Sequence, residues 1–187
     1  MGKKWEEFRQ KIVNLQSDLA RFQVDFLDRH SFKDFVDYTS RDIQGYSEVC
    51  ITGYFSEIIR DSLENMIRLG QNVRLIRQEF PAKLSKNDRK ELEVLEKLVN
   101  AGVKIKINHR THARLFIAHN PKLGEGRGLV VIGSFDFNSD CYGKERYDAG
   151  IKTRHPDLVK SSVELFDQIW NERESMSLED FVKKGKS

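Results

Sequence analysis

Two short polar segments border apolar runs in the second half of the chain. The first is Thr111-His112-Ala113-Arg114, which leads into an apolar run that ends at Ala118. Because alternate side chains of a β-strand share a face, we expect His112 and Arg114 to lie on the same side. A guanidinium group binds phosphate oxygens, and an imidazole attacks phosphorus or transfers protons. The pair indicates phosphate chemistry, with a surface histidine or a strand-end salt bridge as the alternative.

The second polar segment follows an aliphatic run that ends at Ile132. Gly133 comes first, and Ser134, Asp136 and Asn138 then alternate with phenylalanines. A glycine at this point permits close approach of a second backbone. The three polar side chains supply short hydrogen-bonding groups at the end of the predicted strand. The alternative is a strand that simply ends in a turn.

Together the two segments resemble the sequence signature of the phospholipase D superfamily. That signature is His-x-Lys, followed four residues later by Asp, and then Gly-Ser-x-Asn at the end of the next strand. His112-Ala113-Arg114 and Gly133-Ser134-Phe135-Asp136 take these places here. The order of predicted strands and helices agrees with the family over residues 39–172.

The resemblance implies a metal-independent phosphodiesterase that needs no cofactor. His112 is then the nucleophile that forms a phosphohistidine, Arg114 holds the phosphate, and Ser134 orients phosphate or water. The chain carries one copy of the motif, so the resemblance implies a homodimer in which His112 of the partner subunit protonates the leaving oxygen. Asp148 or Glu145 takes the place of the acidic residue that steadies His112 by hydrogen bonding.

Three positions depart from the family signature. Arg114 replaces lysine and keeps its charge. His119 replaces the acidic residue, and its spacing from His112 predicts that it faces away from the phosphate. Asp136 replaces asparagine, and a carboxylate repels phosphate unless it is protonated or paired with Arg114 or a lysine. Asn138 offers an amide two residues on. The alternative hypothesis is therefore a catalytically impaired dimer that binds nucleic acid or a protein.

Positive charge is concentrated around the first motif. The chain has 187 residues and a net charge of +3, but residues 103–127 hold six basic side chains and one acidic side chain. Such a concentration suits a phosphate-bearing partner, with a solvated basic loop as the alternative. We expect a nuclease that acts on DNA or RNA. The basic residues expected to contact the nucleic acid are Lys104, Lys106, Arg110, Lys122 and Arg127.

Other functional classes have less support. His109, His112 and His119 are spaced so that they do not share one strand face, so we predict no metal site. A lipid phosphodiesterase predicts an apolar lipid-facing surface, which the composition does not indicate. The longest aliphatic run, Leu129–Ile132, is far short of a membrane span, and the N-terminus has no signal-peptide pattern. We expect a cytoplasmic protein with no membrane partner.

The apolar pattern predicts the elements that position these residues. From Trp5 to Phe26 apolar residues recur in steps of three and four, which predicts an amphipathic N-terminal helix through about residue 29. This helix would brace the dimer or dock a DNA-processing protein. We predict strands at residues 48–55, 72–78, 103–107, 113–118, 129–135 and 148–153, and helices at 56–69, 86–101 and from 156 onward.

This alternation is typical of an α/β fold, here a phospholipase D-like mixed β-sheet flanked by helices. The expected organisation is an N-terminal helical extension at residues 1–38, a phospholipase D-like domain at 39–174 and a C-terminal tail at 175–187.

Overall fold

A mixed β-sheet of eight strands lies at the centre of the computed structural model, in the order β1-β7-β6-β5-β2-β3-β4-β8. The structure describes residues 24–28, 32, 34–36, 43, 45–124, 126–137 and 148–184. The strands are β1 (Val24–Leu27), β2 (Glu48–Thr52), β3 (Asn72–Gln78), β4 (Lys104–Asn108), β5 (Leu115–His119), β6 (Gly128–Gly133), β7 (Gly150–Thr153) and β8 (Met176–Ser177). The helices are α1 (Glu57–Arg68), α2 (Lys86–Asn100), α3 (Pro156–Asn171) and α4 (Leu178–Lys184).

The strand directions bring the two polar segments to one edge of the sheet. β2, β3 and β4 are parallel, so their last residues, Thr52, Gln78 and Asn108, lie at the same edge, which we call the carboxyl edge. β5 is antiparallel to β2, with Leu115 opposite Thr52, so β5 begins at this edge. β6 is antiparallel to β5 and ends there, with Ile132 opposite Leu115. The opposite margin, where β2 begins, is the amino edge.

Helices cover both faces of the sheet. α1, α2 and α4 pack on one face around a large apolar cluster, in which Leu63, Leu95 and Leu178 are almost fully buried. α3 covers the other face, where Val159 and Phe166 meet the second side of β5 and β6. Because both faces are covered, every residue of β5 is buried, as expected for a central strand.

Local sequence signals fix the helix starts. Ser85 precedes α2 and accepts a hydrogen bond from the Asp88 backbone N–H (3.1 Å), while the Asp88 carboxylate accepts from the Ser85 N–H (2.8 Å). This capping box satisfies two N–H groups that the first turn leaves free. The hydrogen bonds from Ser85 also lower the pKa of Asp88. Pro156 occupies the first turn of α3, where its missing N–H costs nothing.

The predicted strands and helices from residue 48 to the last helix are confirmed, with ends that differ by a few residues. The predicted N-terminal helix is wrong over Val24–Leu27, which form β1 and pair antiparallel with β7. Here the sheet ladder overrides the heptad pattern, and Phe26 is 72% exposed. The rest of that predicted helix lies outside the described residues. Within the described part of the chain, each helix is too short or too polar to cross a bilayer.

Candidate active site

The carboxyl edge holds His112 and Arg114 in the segment that leads into β5, just before the strand itself begins. The Thr52 hydroxyl, which is fully buried, donates to the carbonyl oxygen of Ala113 (2.7 Å) and accepts from the N–H of Leu115 (3.0 Å). These two bonds hold the backbone on each side of Arg114. Sequence reasoning missed Thr52, because a threonine at the end of a strand is common and carries no signal of this contact.

His112 is exposed and lies beside two polar residues that the sequence analysis did not select. Its Nε2 lies 3.3 Å from the amide nitrogen of Gln78, at the end of β3. Gln78 Oε1 accepts from the Tyr54 hydroxyl (2.6 Å). The Tyr54 ring contacts two cations, since the Cζ atoms of Arg77 and Arg114 are each 4.6 Å from its centroid. Tyr54, which follows β2, therefore contacts Arg114 directly and reaches His112 through Gln78 at the end of β3.

Arg114 forms an ion pair with Asp136. Its Nε donates to Asp136 Oδ1, and the two side chains are only 16% and 9% exposed. The guanidinium also reaches the carbonyl oxygens of His112 (3.3 Å) and Ala113 (3.4 Å). The carboxylate at position 136 is thus paired with Arg114, which is one of the two conditions under which it tolerates a neighbouring phosphate. The same pair reduces the positive potential that Arg114 presents.

A second, deeper cation supports this arrangement. Arg77 is 2% exposed and binds Glu91 through Nη2 (2.8 Å) and Nε (3.3 Å). Arg77 also donates to the backbone carbonyl oxygen of Gln78. Glu91 accepts a further bond from the Phe55 N–H (2.8 Å). Since a buried charge is costly unless it is paired and hydrogen-bonded, Arg77 serves as a structural anchor beneath Tyr54.

Ser134 contacts Asp148, which lies two residues before β7 begins. The Ser134 hydroxyl donates to Asp148 Oδ1 (2.8 Å) and accepts from the Ala149 N–H (3.2 Å). Asp148, predicted to hydrogen-bond to His112, is instead a partner of Ser134. The other predicted site residues, Asn138 and Glu145, lie outside the described residues.

Two facing glycines allow β6 and β7 to meet next to Ser134. A Cβ atom on Gly150 would lie 2.6 Å from the carbonyl oxygen of Ile132, and one on Gly133 would lie 2.8 Å from that of Ala149. The Phe135 ring packs against both glycines and stacks on Phe32, with centroids 4.1 Å apart. Close approach at Gly133, expected from the sequence, is therefore realised against β7.

The predicted nucleic-acid-binding residues are divided between the two edges of the sheet. Arg110 is exposed near His112, whereas Lys104 and Arg127 line a cavity of about 680 Å³ at the amino edge. Lys106 donates to the carbonyl oxygen of Trp170 (2.7 Å) and lies over its ring. Lys122 is exposed in a short 3-10 turn after β5. The five residues are close in sequence, but β4 runs from the amino edge to the carboxyl edge and β5 runs back, so residues before and after these strands lie at opposite edges.

His119 lies at the amino edge, facing away from His112 as predicted. Its Nε2 is 3.7 Å from Glu48, and burial lowers its pKa. Within the described part of the chain, Glu48, Cys50 and His119 form a group close enough to hold a cation. They do not fit one, because Arg74 already donates to the same Glu48 oxygen (3.2 Å), and burial raises the pKa of the Cys50 thiol to about 12.

The chain is similar to a known protein family and to several solved structures. Residues 44–170 match a family described as "Cardiolipin synthase, PLD-like domain". Nuc, a phospholipase D family member from Salmonella typhimurium, is 17% identical with a TM-score of 0.62, over 82% of this chain and 95% of Nuc. NucT from Helicobacter pylori is 13% identical with a TM-score of 0.61, over 82% of this chain and 98% of NucT.

A more distant likeness is to TrmBL2, described as an archaeal chromatin protein with a novel mode of DNA binding. It is 12% identical with a TM-score of 0.50, over 93% of this chain and 65% of TrmBL2. At these identities, the three solved structures show a shared fold. No curated protein matches the sequence.

Proposed function

The chain belongs to the phospholipase D-like domain family, and from this membership we propose that it is a metal-independent phosphodiesterase that cleaves nucleic acid at a homodimer interface. The observation that carries the proposal is the meeting of exposed His112 with Arg114 and Ser134 at the carboxyl edge. These side chains come from segments that precede β5 and follow β6. The fold thus brings an imidazole, a guanidinium and a hydroxyl group to one edge of the sheet, which supports the roles proposed below.

In the proposed reaction, His112 Nε2 attacks the phosphorus atom and forms a P–N bond. The P–O bond to the leaving group breaks, and the leaving oxygen takes a proton from His112 of the partner subunit. Water then attacks phosphorus and breaks the P–N bond, while its proton passes to the same partner imidazole. Two histidines are needed for this sequence, and a two-fold axis supplies both from a single motif.

Arg114 and Ser134 act on the phosphate in this scheme. Arg114 offers a planar set of donors that matches phosphate oxygens, and phosphate competes with Asp136 for them. The Ser134 hydroxyl donates its one proton to Asp148 and accepts from the Ala149 N–H, so phosphate competes with Asp148 for that proton. Once these partners are exchanged, both groups donate to the phosphoryl oxygens, on which negative charge develops.

Nucleic acid is the proposed substrate because one of the predicted basic contacts, Arg110, lies near His112. Arg110 is exposed two residues before His112, in the most basic segment of the chain. The fold is shared with TrmBL2, which is described as a DNA-binding protein. A phosphate backbone bound by such residues gives an affinity that falls with increasing salt concentration.

The test is cleavage of single- and double-stranded DNA and RNA in EDTA by wild type and His112→Ala. His109→Ala is the matched control, since His109 is an exposed histidine three residues earlier. The proposal predicts cleavage by wild type and by His109→Ala, and none by His112→Ala. Phosphatidylglycerol vesicles in the same panel test lipid as a substrate. Cleavage that EDTA abolishes, or that His112→Ala retains, contradicts the mechanism.

A second candidate function is a catalytically impaired dimer that binds nucleic acid or protein. The Arg114–Asp136 pair favours it, because the cation expected to hold phosphate is already neutralised. This function predicts salt-dependent binding of oligonucleotides, equal in wild type and His112→Ala, with no cleavage of any substrate. Cleavage that depends on His112 excludes it.

A further inference from the structure

We propose that Gln78 is a further residue of this site, whose amide N–H selects the Nδ1–H form of the neutral His112 ring in the free protein and then donates to a phosphoryl oxygen of bound substrate. The proposal rests on the phosphodiesterase function proposed above. It starts from the distance of 3.3 Å between Gln78 Nε2 and His112 Nε2, across the carboxyl edge from β3 to the segment before β5.

The chemistry of the two nitrogens sets the direction of this hydrogen bond. An amide nitrogen can only donate, so the imidazole nitrogen that faces it accepts. His112 Nε2 then carries a lone pair, and the single proton of the neutral ring is on Nδ1. Neutral imidazole in water favours the opposite form, with the proton on Nε2. The contact therefore selects the form of His112 in which Nε2 is the nucleophilic atom.

Gln78 is held in place from two sides. Its Oε1 accepts from the Tyr54 hydroxyl at 2.6 Å, which turns the amide nitrogen toward His112. The backbone carbonyl oxygen of Gln78 accepts from Arg77, whose guanidinium group is held by Glu91. The Tyr54 ring itself packs against the guanidinium groups of Arg77 and Arg114. The amide is thus preorganised, which is the condition for a useful contribution to a transition state.

The same amide lies where a phosphoryl group must arrive. Attack by His112 Nε2 places phosphorus along the lone pair at which the Gln78 N–H points. The N–H then loses its acceptor and has a non-bridging phosphoryl oxygen within reach. Arg114 is paired with Asp136, so Gln78 supplies a neutral donor that needs no ion pair to open. Donors of this kind, aimed at developing charge, are each worth roughly 10²–10³ in kcat.

Nitrogen-15 NMR of histidine-labelled, ligand-free protein tests the first half of the proposal. The chain has 5 His, and the signals of His112 are those missing from His112→Ala. We expect the neutral ring of His112 to carry its proton on Nδ1 in wild type, and to shift toward the Nε2–H form in Gln78→Leu and Gln78→Glu. An Nε2–H form in wild type, or no change in Gln78→Leu, overturns the proposal.

Two tyrosine variants separate the bracing of Gln78 from a general effect on folding. Tyr54→Phe keeps the ring contacts with the two guanidinium groups but removes the bond to Gln78 Oε1, so it should move the His112 signal toward the Nε2–H form. Tyr46→Phe is the matched control, because the Tyr46 hydroxyl accepts from Arg154 and lies away from the site. Equal effects of both variants contradict the bracing role.

Kinetics test the second half. Gln78→Leu should lower kcat by about 10²-fold and change KM by much less, because the N–H contacts the phosphoryl group in the transition state. Wild-type cleavage that requires His112 but is unaffected by Gln78→Leu overturns the role of Gln78 and leaves the proposed function standing. If wild type cleaves no substrate, the proposed function and this second half both fail, and the NMR result alone decides the first half.

Discussion

Replacing Asp136 with asparagine tests what the Arg114–Asp136 pair does to phosphate binding. Asp136→Asn keeps the size of the side chain and an oxygen that accepts from Arg114 Nε, but removes the negative charge. A phosphate bound to Arg114 lies about 5 Å from that carboxylate, where two unit charges repel by about 3 kcal/mol at an effective dielectric constant near 20. Solvent reaches the outer part of the site and reduces this figure.

We therefore expect Asp136→Asn to strengthen phosphate binding by about 1.4 to 2 kcal/mol, which corresponds to a Kd roughly 10- to 30-fold lower. The same substitution should lower the free energy of unfolding by about 1 to 3 kcal/mol, because the charge-assisted hydrogen bond becomes a neutral one. The two effects have opposite consequences for the protein, so both need to be measured.

The assay is fluorescence anisotropy with a labelled single-stranded oligonucleotide, in a His112→Ala background that prevents cleavage. Asp167→Asn is the matched control, because Asp167 is also paired with an arginine, Arg74 (2.7 Å), but at the amino edge. Both variants change the net charge equally. An unchanged or weaker affinity in Asp136→Asn, or an equal gain in Asp167→Asn, refutes a local role of Asp136 in repelling phosphate.

Three further predictions concern stability and are read from urea unfolding curves. Thr52→Val should lower the free energy of unfolding by about 2–3 kcal/mol, because it removes the hydroxyl that forms both backbone hydrogen bonds beside Arg114. Thr52→Ser keeps the hydroxyl and should lower it by less than half of that. Glu91→Ala should lower the free energy of unfolding by about 3–5 kcal/mol, because it leaves buried Arg77 without its main carboxylate. A decrease below about 1 kcal/mol contradicts this role of Glu91. Burial lowers the pKa of His119 below its usual 6.5, so the unfolded chain takes up a proton first as pH falls. Wild type should therefore lose stability from about pH 7 to pH 5, and His119→Gln should lose less over this range.

Periodicity and motif spacing predicted the larger part of the fold and the two segments of the site. Helices α1, α2 and α3 and strands β2 to β7 have strong local signals, such as the capping box at Ser85 and the proline that opens α3, whereas the two-residue strand β8 was not predicted. His112, Arg114, Ser134 and Asp136 were selected because together their types and spacing resemble the signature of a known family. These features depend on neighbours in sequence, so they can be read without a structure.

Contacts between distant segments could not be read in this way. Tyr54 and Gln78 lie on segments far before the motif, and only the strand order brings them to His112. The role of Asp148 differs for the same reason, because its partner depends on how β7 meets β6. At Val24–Leu27 the heptad pattern was strong and still misleading, since a pairing with the far end of the chain determines the conformation there.

β1 is an outermost strand of the sheet, and this position affects the order in which the chain acquires its structure. Val24 pairs with Thr153, so β1 joins the sheet only after β7 is in place, and it must close a very long loop to do so. The β2–β3 and β5–β6 ladders join segments much closer in sequence. Amide hydrogens of β1 should thus exchange through local opening, while those of central β2 and β5 exchange only on global unfolding. Opening of β1 leaves the ladders that carry the carboxyl edge intact.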